Sequence, residues 1–269
     1  MLRRRPAPPL DAFVEALWWS RRLAAYETRE HMLPTGACQL VIALHEEPIG
    51  WAPAGAPDAA SSWQVWRRGV VHGPQSTFYQ AGPKPPGAVL GASFRPGAAG
   101  ALLGASPAAL LDRHVAIDDL WGTWGRTLHA RLAESRSPHD ALSCLERALA
   151  ARLDARAPMH PAVAQALDPS MAGSSIGQLH RATGYSHRHF VALFRAAVGL
   201  APKHFFRIQR FTAAACELAA EPVQLAELAL RCGYADQAHL AREFRAFCGV
   251  PPTAYRPSSR TSPFHHVVG

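Results

Sequence analysis

The stretch LAELALRCGYADQAHLAREFRAFCGVPP at residues 225–252 and the stretch IGQLHRATGYSHRHFVALFRAAVGLAP at residues 176–202 are two copies of one unit. The Gly-Tyr turns of the two copies lie 49 positions apart, whereas Phe194 and Phe244 lie 50 apart, so one residue is inserted after the turn. Each copy consists of a short predicted helix, the turn, a second helix and a Gly-x-x-Pro ending. A duplicated helix-turn-helix of this kind is typical of proteins that contact DNA.

The first copy contains the signals of two capped helices. Ser175 and Gln178 form a Ser-x-x-Gln capping box, and Gly184 can adopt the positive φ that ends the first helix. Ser186 is the predicted cap of the second helix, which ends at Gly199. The apolar residues that we expect to face inward are Ile176, Leu179, Ala182, Phe190, Leu193, Phe194 and Ala197.

The second copy repeats this pattern. Asp236 is the predicted cap of its second helix, and Gly249 followed by Pro252 ends that helix. The residues that we expect to face inward are Leu240, Phe244 and Phe247. The residues that remain on the outward faces of the two second helices are His187, Arg188, Val191, Ala192, Arg195, Gln237, Ala238, Ala241, Arg242 and Arg245.

Residues 160–257 resemble the DNA-binding domain of the AraC/XylS family of bacterial transcription regulators, and the second copy follows that family's signature from Leu228 to Arg256. The resemblance implies a bilobal, all-helical domain in which a helix over residues 202–218 joins two helix-turn-helix lobes. The second helix of each lobe would then enter the major groove, in two successive segments about 34 Å apart on one face of the duplex.

The resemblance also implies which residues contact DNA. The matching positions are Arg188, Val191 and Ala192 in the first lobe and Gln237, Ala238, His239, Ala241 and Arg242 in the second, with Arg195 and Arg245 beside them. The family often has Arg where this chain has Ala192, so we expect the first lobe to read bases weakly. Arg and Gln make bidentate contacts with guanine and adenine, which favours Arg188, Gln237 and Arg242 as base readers. The alternative is that these arginines only make a surface helix soluble.

The charge balance agrees with a nucleic-acid partner. Residues 159–269 contain 11 Lys and Arg against 6 Asp and Glu, which accounts for +5 of the chain's net charge of +8. An excess of basic residues suits contact with phosphates, although ordinary globular domains also reach such a balance. We therefore expect a double-stranded DNA operator as the main partner, with RNA polymerase as a further partner of a transcription activator.

Residues 1–155 are predicted to form an N-terminal domain rich in β-strands. The candidate strands cover residues 38–44, 63–66 and 88–94. An amphipathic helix over residues 138–153 follows, with Ser137 as its cap. The predicted fold class is therefore α+β, with a β-rich partial barrel and helices at the N-terminus and an all-α domain at the C-terminus.

The domain boundary is predicted from a break in these patterns. Residues 156–161 contain two prolines and end the helical pattern, which makes them the predicted linker. The DNA-binding domain then covers residues 159–257. Residues 258–269, which include His265 and His266, are predicted to be a short, disordered tail.

The N-terminal half resembles the cupin-like partial β-barrel found in one branch of the same regulators. The matching segments lie at residues 33–42, 73–79, 94–104 and 118–121. The resemblance implies an effector-binding or dimerisation domain, with a small-molecule effector whose identity the residues leave open and with a homodimer as the assembly. Aromatic residues that could line a pocket are Trp51, Trp63, Trp66, Phe78, Tyr79 and Phe94, although aromatic residues in a small barrel are more often plain core.

The sequence favours a cytoplasmic protein that associates with the nucleoid. Its five cysteines are odd in number and form no Cys-x-x-Cys pair, which is typical of reduced thiols. The N-terminus has no apolar stretch of a signal peptide, and the longest uncharged run, residues 96–111, is too short to span a membrane. No cofactor-binding or metal-binding motif is predicted.

Enzyme motifs are present but incomplete. Residues 173–177 match the Gly-x-Ser-x-Gly nucleophile elbow, yet no predicted strand precedes them. Asp118 and Asp119 favour a helix start over acid/base catalysis, and residues 45–47 lack the second His of a zinc site. We therefore predict that the chain is not an enzyme. The alternative to a DNA-binding regulator is a helical binding or oligomerisation protein with no specific DNA readout.

Overall fold

The computed structural model describes residues 1–22, 29–44, 48–54, 63–82, 87–154, 159–171, 176–259 and 262–267. The strands are β1 Leu2–Arg4, β2 Val14–Arg22, β3 Glu30–Met32, β4 Gln39–Ala43, β5 Ile49–Pro53, β6 Gln64–Trp66, β7 Gly69–His72, β8 Tyr79–Ala81, β9 Gly87–Phe94, β10 His114–Ala116, β11 Pro257–Ser259 and β12 Ser262–Val267. The helices are α1 Gly100–Leu103, α2 Ile117–Trp121, α3 Thr123–Ala133, α4 Pro138–Arg152, α5 Pro161–Ala166, α6 Ile176–Thr183, α7 His187–Val198, α8 Pro202–Ala220, α9 Leu225–Arg231 and α10 Gln237–Cys248. The predicted α+β class is confirmed.

The strands of the N-terminal half, together with β11 and β12 from the C-terminus, form two six-stranded sheets whose pairings are antiparallel. Their strand orders are β1-β2-β9-β4-β7-β10 and β11-β12-β3-β8-β5-β6. Among the described strands no ladder joins one sheet to the other, so the sheets do not close into a barrel. The three strands predicted from the sequence correspond to β4, β6 and β9.

One face of the first sheet packs against the helices that follow it. Leu40 and Ile42 on β4 are fully buried, as are Leu142 and Leu145 on α4. Their alternation along β4 follows from the two-residue period of a strand, which sends every second side chain to the helical layer. Helix α4 begins as predicted, because the backbone N–H of Asp140 donates to Ser137 Oγ at 3.1 Å.

The C-terminal helices form two lobes around α8. Phe205 of α8 packs against Phe194 of α7, with ring centroids 5.5 Å apart, and Phe211 of α8 packs against Phe244 of α10 at 5.0 Å. Helix α8 begins at Pro202, as predicted, and continues to Ala220. One helix therefore carries an aromatic side chain into the core of each lobe.

The predicted caps of α7 and α10 are confirmed. Ser186 Oγ accepts from the N–H of His189 at 3.3 Å, and Asp236 Oδ1 accepts from the N–H of His239 at 2.6 Å. The glycines that end the four helices of the repeat all have positive φ, between 73° and 89°, and are Gly184, Gly199, Gly233 and Gly249. Positive φ is the backbone conformation that favours glycine.

One prediction for the first copy is wrong, and another falls outside the described residues. Ala182 was expected to face inward but is exposed, whereas Leu179 on the same helix is buried. Ala182 lies about 60° around the helix axis from Leu179, at the edge of the buried face, where its small side chain contributes little to the packing. The predicted Ser175 cap lies outside the described residues, as do residues 156–158 of the predicted linker and most of the Gly-x-Ser-x-Gly match.

The prediction of a disordered tail at residues 258–269 is wrong for its described part. Strand β12 pairs with the edge strand β3 in antiparallel register, with His266 opposite His31, and His266 is only 3% exposed. His265 Nδ1 lies 3.1 Å from the buried carboxylate of Glu30. An open sheet edge offers unpaired backbone groups to any extended segment, which a local reading of the tail does not reveal.

We expect Phe194→Ala or Phe244→Ala to lower the free energy of unfolding by about 3–5 kcal/mol, because each ring fills the centre of a lobe. Urea unfolding followed by circular dichroism measures the loss. Tyr185→Ala is the matched control, since it removes an aromatic ring at an exposed turn position and should change stability by about 0.5 kcal/mol or less. An unchanged unfolding midpoint for either Phe variant would show that the inward faces are assigned wrongly.

Candidate nucleic-acid interface

The outward face of α7 contributes part of the predicted surface. Arg188, Ala192 and Arg195 are exposed, as expected. Val191 is half-buried and packs against the C-terminal core, so only part of its side chain is available to a partner. Arg188 lies in the first turn of the capped helix, the end of a recognition helix that contacts base edges in helix-turn-helix proteins.

The outward face of α10 presents a larger polar set. Gln237, Ala238, Arg242 and Arg245 are exposed, whereas His239 and Ala241 are half-buried. The sequence alone did not reveal that His239 is engaged within its own lobe. Its Nδ1 accepts a weak hydrogen bond from the N–H of Ala235 at 3.4 Å, and its ring packs edge-on against Tyr234 at 5.2 Å.

The arginines of this surface have no anionic partner among the described residues. Those four arginines are Arg188, Arg195, Arg242 and Arg245. Other arginines of the same domain are engaged: Arg231 pairs with Glu217 and Glu227, and Arg207 pairs with Glu243. Unpaired guanidinium groups on two equivalent helices create positive potential where phosphates or guanine edges could bind.

Arg207 and Glu243 attach α10 to α8. Arg207 donates from Nε to Glu243 Oε2 at 3.0 Å and from Nη2 to Oε1 at 2.7 Å, a bidentate geometry. Glu243 is 8% exposed, and the hydrogen bonds to its carboxylate raise the pKa of Arg207. Sequence reasoning missed this ion pair. The available signal was Glu243, a carboxylate at an inward position beside Leu240 and Phe244, because a buried carboxylate needs a cationic partner.

The N-terminal domain holds a cluster of polar aromatic residues between its sheets. The structure brings Trp51, Trp66 and Tyr79 together, as the predicted pocket requires, and adds His72 and His114. The other members of the predicted pocket lie elsewhere: Phe94 belongs to the core under the helices, Phe78 stacks on His31, and Trp63 lies beside Arg29. We refer to Trp51, Trp66, His72, Tyr79 and His114 as the aromatic cluster.

Within the aromatic cluster the two imidazoles are neutral and partly unsatisfied. Burial lowers the pKa of His72 to about 3, and burial also lowers the pKa of His114, to about 2. Their Nδ1 atoms are 2.5 Å apart, and the Tyr79 hydroxyl is 3.4 Å from His72 Nδ1. Trp51 Nε1 and His114 Nε2 are buried and have no hydrogen-bond partner in the part of the chain that the structure describes. Buried polar atoms of this kind usually have partners, so the cluster can accept a polar ligand atom or water.

The geometry of the described residues does not support the catalytic alternatives. Asp118 forms an ion pair with Arg68 at the start of α2, in agreement with its expected place at a helix start. Within the described ranges no three His, Cys, Asp or Glu side chains gather into a metal-binding group. None of the described helices is both long and apolar enough to cross a bilayer. The candidate motif at residues 45–47 lies outside the described residues.

Comparison with protein families gives two matches. Residues 179–258 match a helix-turn-helix domain family, and residues 2–116 match a domain of unknown function, DUF6597. Among curated proteins, the transcriptional activator AarP of Providencia stuartii is 31% identical over 82 residues, which are 30% of this chain and 61% of the relative. The chain therefore spans less than two thirds of the curated relative's length.

Two solved structures extend the comparison. The DNA-binding domain of AdpA, solved in complex with a target DNA, is 30% identical over 36% of this chain and 87% of that chain, with a TM-score of 0.32. An apo form of ToxT from Vibrio cholerae covers 88% of this chain and 95% of that chain at 7% identity, with a TM-score of 0.51, a likeness of fold. The repeat, its caps and the family match at residues 179–258 lead to one conclusion: the C-terminal part of the chain is a helix-turn-helix domain, similar in sequence to part of AarP.

Proposed function

We propose that the chain is a sequence-specific transcription regulator that reads two successive major-groove segments of a DNA operator through α7 and α10. The observation that carries the proposal is the set of unpaired arginines on the exposed faces of these two equivalent helices. Arg231 on α9 is paired with carboxylates, whereas the arginines of α7 and α10 keep their charge available to a polyanion.

The proposed division of labour between the lobes follows from the side chains that each helix presents. Helix α10 offers Gln237 and Arg242, whose donors and acceptors fit adenine and guanine edges. Helix α7 offers Arg188 for bases, with Ala192 and part of Val191 for thymine methyl groups and Arg195 for phosphates. The second lobe therefore dominates base discrimination.

The N-terminal domain is the proposed control element. The aromatic cluster supports an effector site, since two of its buried polar atoms lack partners. In this proposal the protein works in the cytoplasm at the nucleoid, as a homodimer assembled through its N-terminal domain, and it acts on RNA polymerase at the promoter. The competing function is a helical binding or oligomerisation module, which would bind specific and random DNA with equal affinity.

The first test uses an operator selected from a random duplex library by the full-length chain. We expect Arg242→Ala to weaken binding to that operator by about 1–3 kcal/mol and to leave binding to random DNA nearly unchanged, because a lost base contact affects only the specific complex. Fluorescence anisotropy titrations on both duplexes measure the difference. Arg231→Ala is the matched control, since it removes a paired arginine of the same lobe. Equal losses on both duplexes would contradict base reading by Arg242.

The second test concerns the asymmetry between the lobes. Single base-pair changes scanned along the operator should give two clusters of penalties about one helical turn apart, with the larger penalties under α10. Arg195→Ala should reduce the slope of log K against log salt by about one unit, since it removes a phosphate contact. Equal penalties in the two clusters, or larger ones under α7, would refute the asymmetry.

A further inference from the structure

The C-terminal ends of α7 and α10 dock on the N-terminal domain through matching contacts. Ser106 Oγ donates to the carbonyl oxygen of Ala196 at 2.9 Å, and Thr77 Oγ1 donates to that of Ala246 at 2.9 Å. Ala196 and Ala246 lie 50 positions apart, so they are equivalent residues of the repeat. Carbonyls in the last turn of a helix have no partner within the helix, and here the N-terminal domain supplies one to each copy.

The glycines that end these two helices meet the N-terminal domain as well. A Cβ built on Gly199 would lie 2.7 Å from Pro74 Cγ, and one built on Gly249 would lie 2.9 Å from Phe78 Cζ. The turn glycine Gly184, in contrast, has no atom of the described residues within 4 Å of such a Cβ. The contacts of Gly199 and Gly249 thus lie at the ends of α7 and α10 that are opposite the predicted base-reading first turn.

One segment contacts the ends of both helices, beside the separate contacts that Ser106 and Pro107 make with the end of α7 and that His31 makes with the end of α10. Residues 73–78, which we call the docking loop, place Pro74 at the end of α7 and both Thr77 and Phe78 at the end of α10. The same loop contacts α8, because His204 Nε2 donates to the carbonyl oxygen of Ser76 at 2.8 Å. The loop therefore touches both recognition helices and the helix that joins them.

The docking loop is itself held in one conformation. The backbone N–H and the hydroxyl of Ser76 both donate to the carboxylate of Asp112, at 2.6 and 2.7 Å. The N–H of Asp112 donates back to the carbonyl oxygen of Pro74 at 2.9 Å. Because hydrogen bonds hold the loop in one conformation, it can fix the position of the helices that it contacts, whereas a mobile loop could not.

The two residues that flank the docking loop are members of the aromatic cluster. His72 is the last residue of β7 and Tyr79 the first of β8, and their rings stack with centroids 5.4 Å apart. A ligand that enters the cluster would change this stacking. The docking loop directly joins His72 and Tyr79 of this cluster, and it makes the contacts with α7, α8 and α10.

We propose that the docking loop, together with Ser106, sets the separation and relative orientation of α7 and α10, and thereby the spacing between the two operator segments that the protein accepts. The proposal rests on the proposed function. It identifies the docking loop as an element that determines the specificity for operator spacing. Residues 73–79 resemble a segment of the cupin-like N-terminal domains, and the contacts above assign that segment a role in positioning α7 and α10.

The experiment measures affinity for operators in which one base pair is inserted or deleted between the two contacted segments. One base pair changes the distance by about 3.4 Å and rotates one segment by about 34°, so a fixed pair of helices should discriminate strongly. We expect the wild type to lose affinity about tenfold or more for either change. The double variant Thr77→Ala/Ser106→Ala should lose about threefold or less for the same changes, with affinity at the native spacing reduced less than tenfold.

The ratio of the affinities for native and altered spacing reports on the positioning of the helices. A general loss of folded protein would weaken binding to all duplexes alike and would leave this ratio unchanged. Thr127→Ala is the matched control: its hydroxyl also donates to a carbonyl, that of Thr123 within α3. His204→Ala, which removes the contact between the loop and α8, should relax the spacing preference in the same direction as the double variant.

The outcomes separate this proposal from the proposed function. If the wild type binds its operator specifically but the double variant and His204→Ala keep the full penalty for altered spacing, the docking loop does not set the geometry. A wild type that binds its operator specifically yet tolerates altered spacing also overturns the proposal. A wild type that does not distinguish operator from random DNA contradicts the proposed function itself.

Discussion

The contacts that α8 makes with α7 and α10 are the constraint on which the rest of the C-terminal domain depends. Phe205 and Phe211 lie six positions apart on one continuous helix, and each packs against the central phenylalanine of a different lobe. Because the interiors of proteins are packed closely, a ring that fills a lobe also fixes the rotation of the helix it meets. The faces that α7 and α10 turn to solvent follow from this packing.

Charge is a second feature of these exposed faces. The domain pairs Arg207 with a buried carboxylate to anchor α10 and pairs Arg231 on α9, yet leaves the arginines of the outward faces without anionic partners among the described residues. Ion pairs at an exposed surface contribute little to stability, so the unpaired positions cost the fold little. They leave positive charge where a polyanion could approach two helices at once.

Much of the C-terminal domain could be predicted because its signals are local. A repeated pattern, the caps Ser186 and Asp236 and helix-ending glycines all act within a few residues of each other, and the structure contains both caps and the glycine conformations. The exposed positions of Arg188 and Arg242 followed from helical period alone. Their contacts with DNA remain predictions.

The features that were not predicted join segments distant in sequence. Strand β12 pairs with β3 across more than 200 positions, and the periodicity of a short polar tail does not encode that pairing. His72 and His114 meet as cross-strand partners, which only the register of β7 and β10 determines. The same holds for Thr77 and its contact with α10, because a loop hydroxyl reveals its partner only when the sheet has positioned it.

The central claim is that two helices of one chain contact the same face of a duplex. A hydroxyl-radical and guanine-methylation footprint of the full-length chain on its selected operator tests it most directly. The account predicts two protected major-groove segments whose centres lie about 10–10.5 base pairs apart, with protection on one face of the duplex. A single protected segment, or two segments centred on opposite faces, would contradict it.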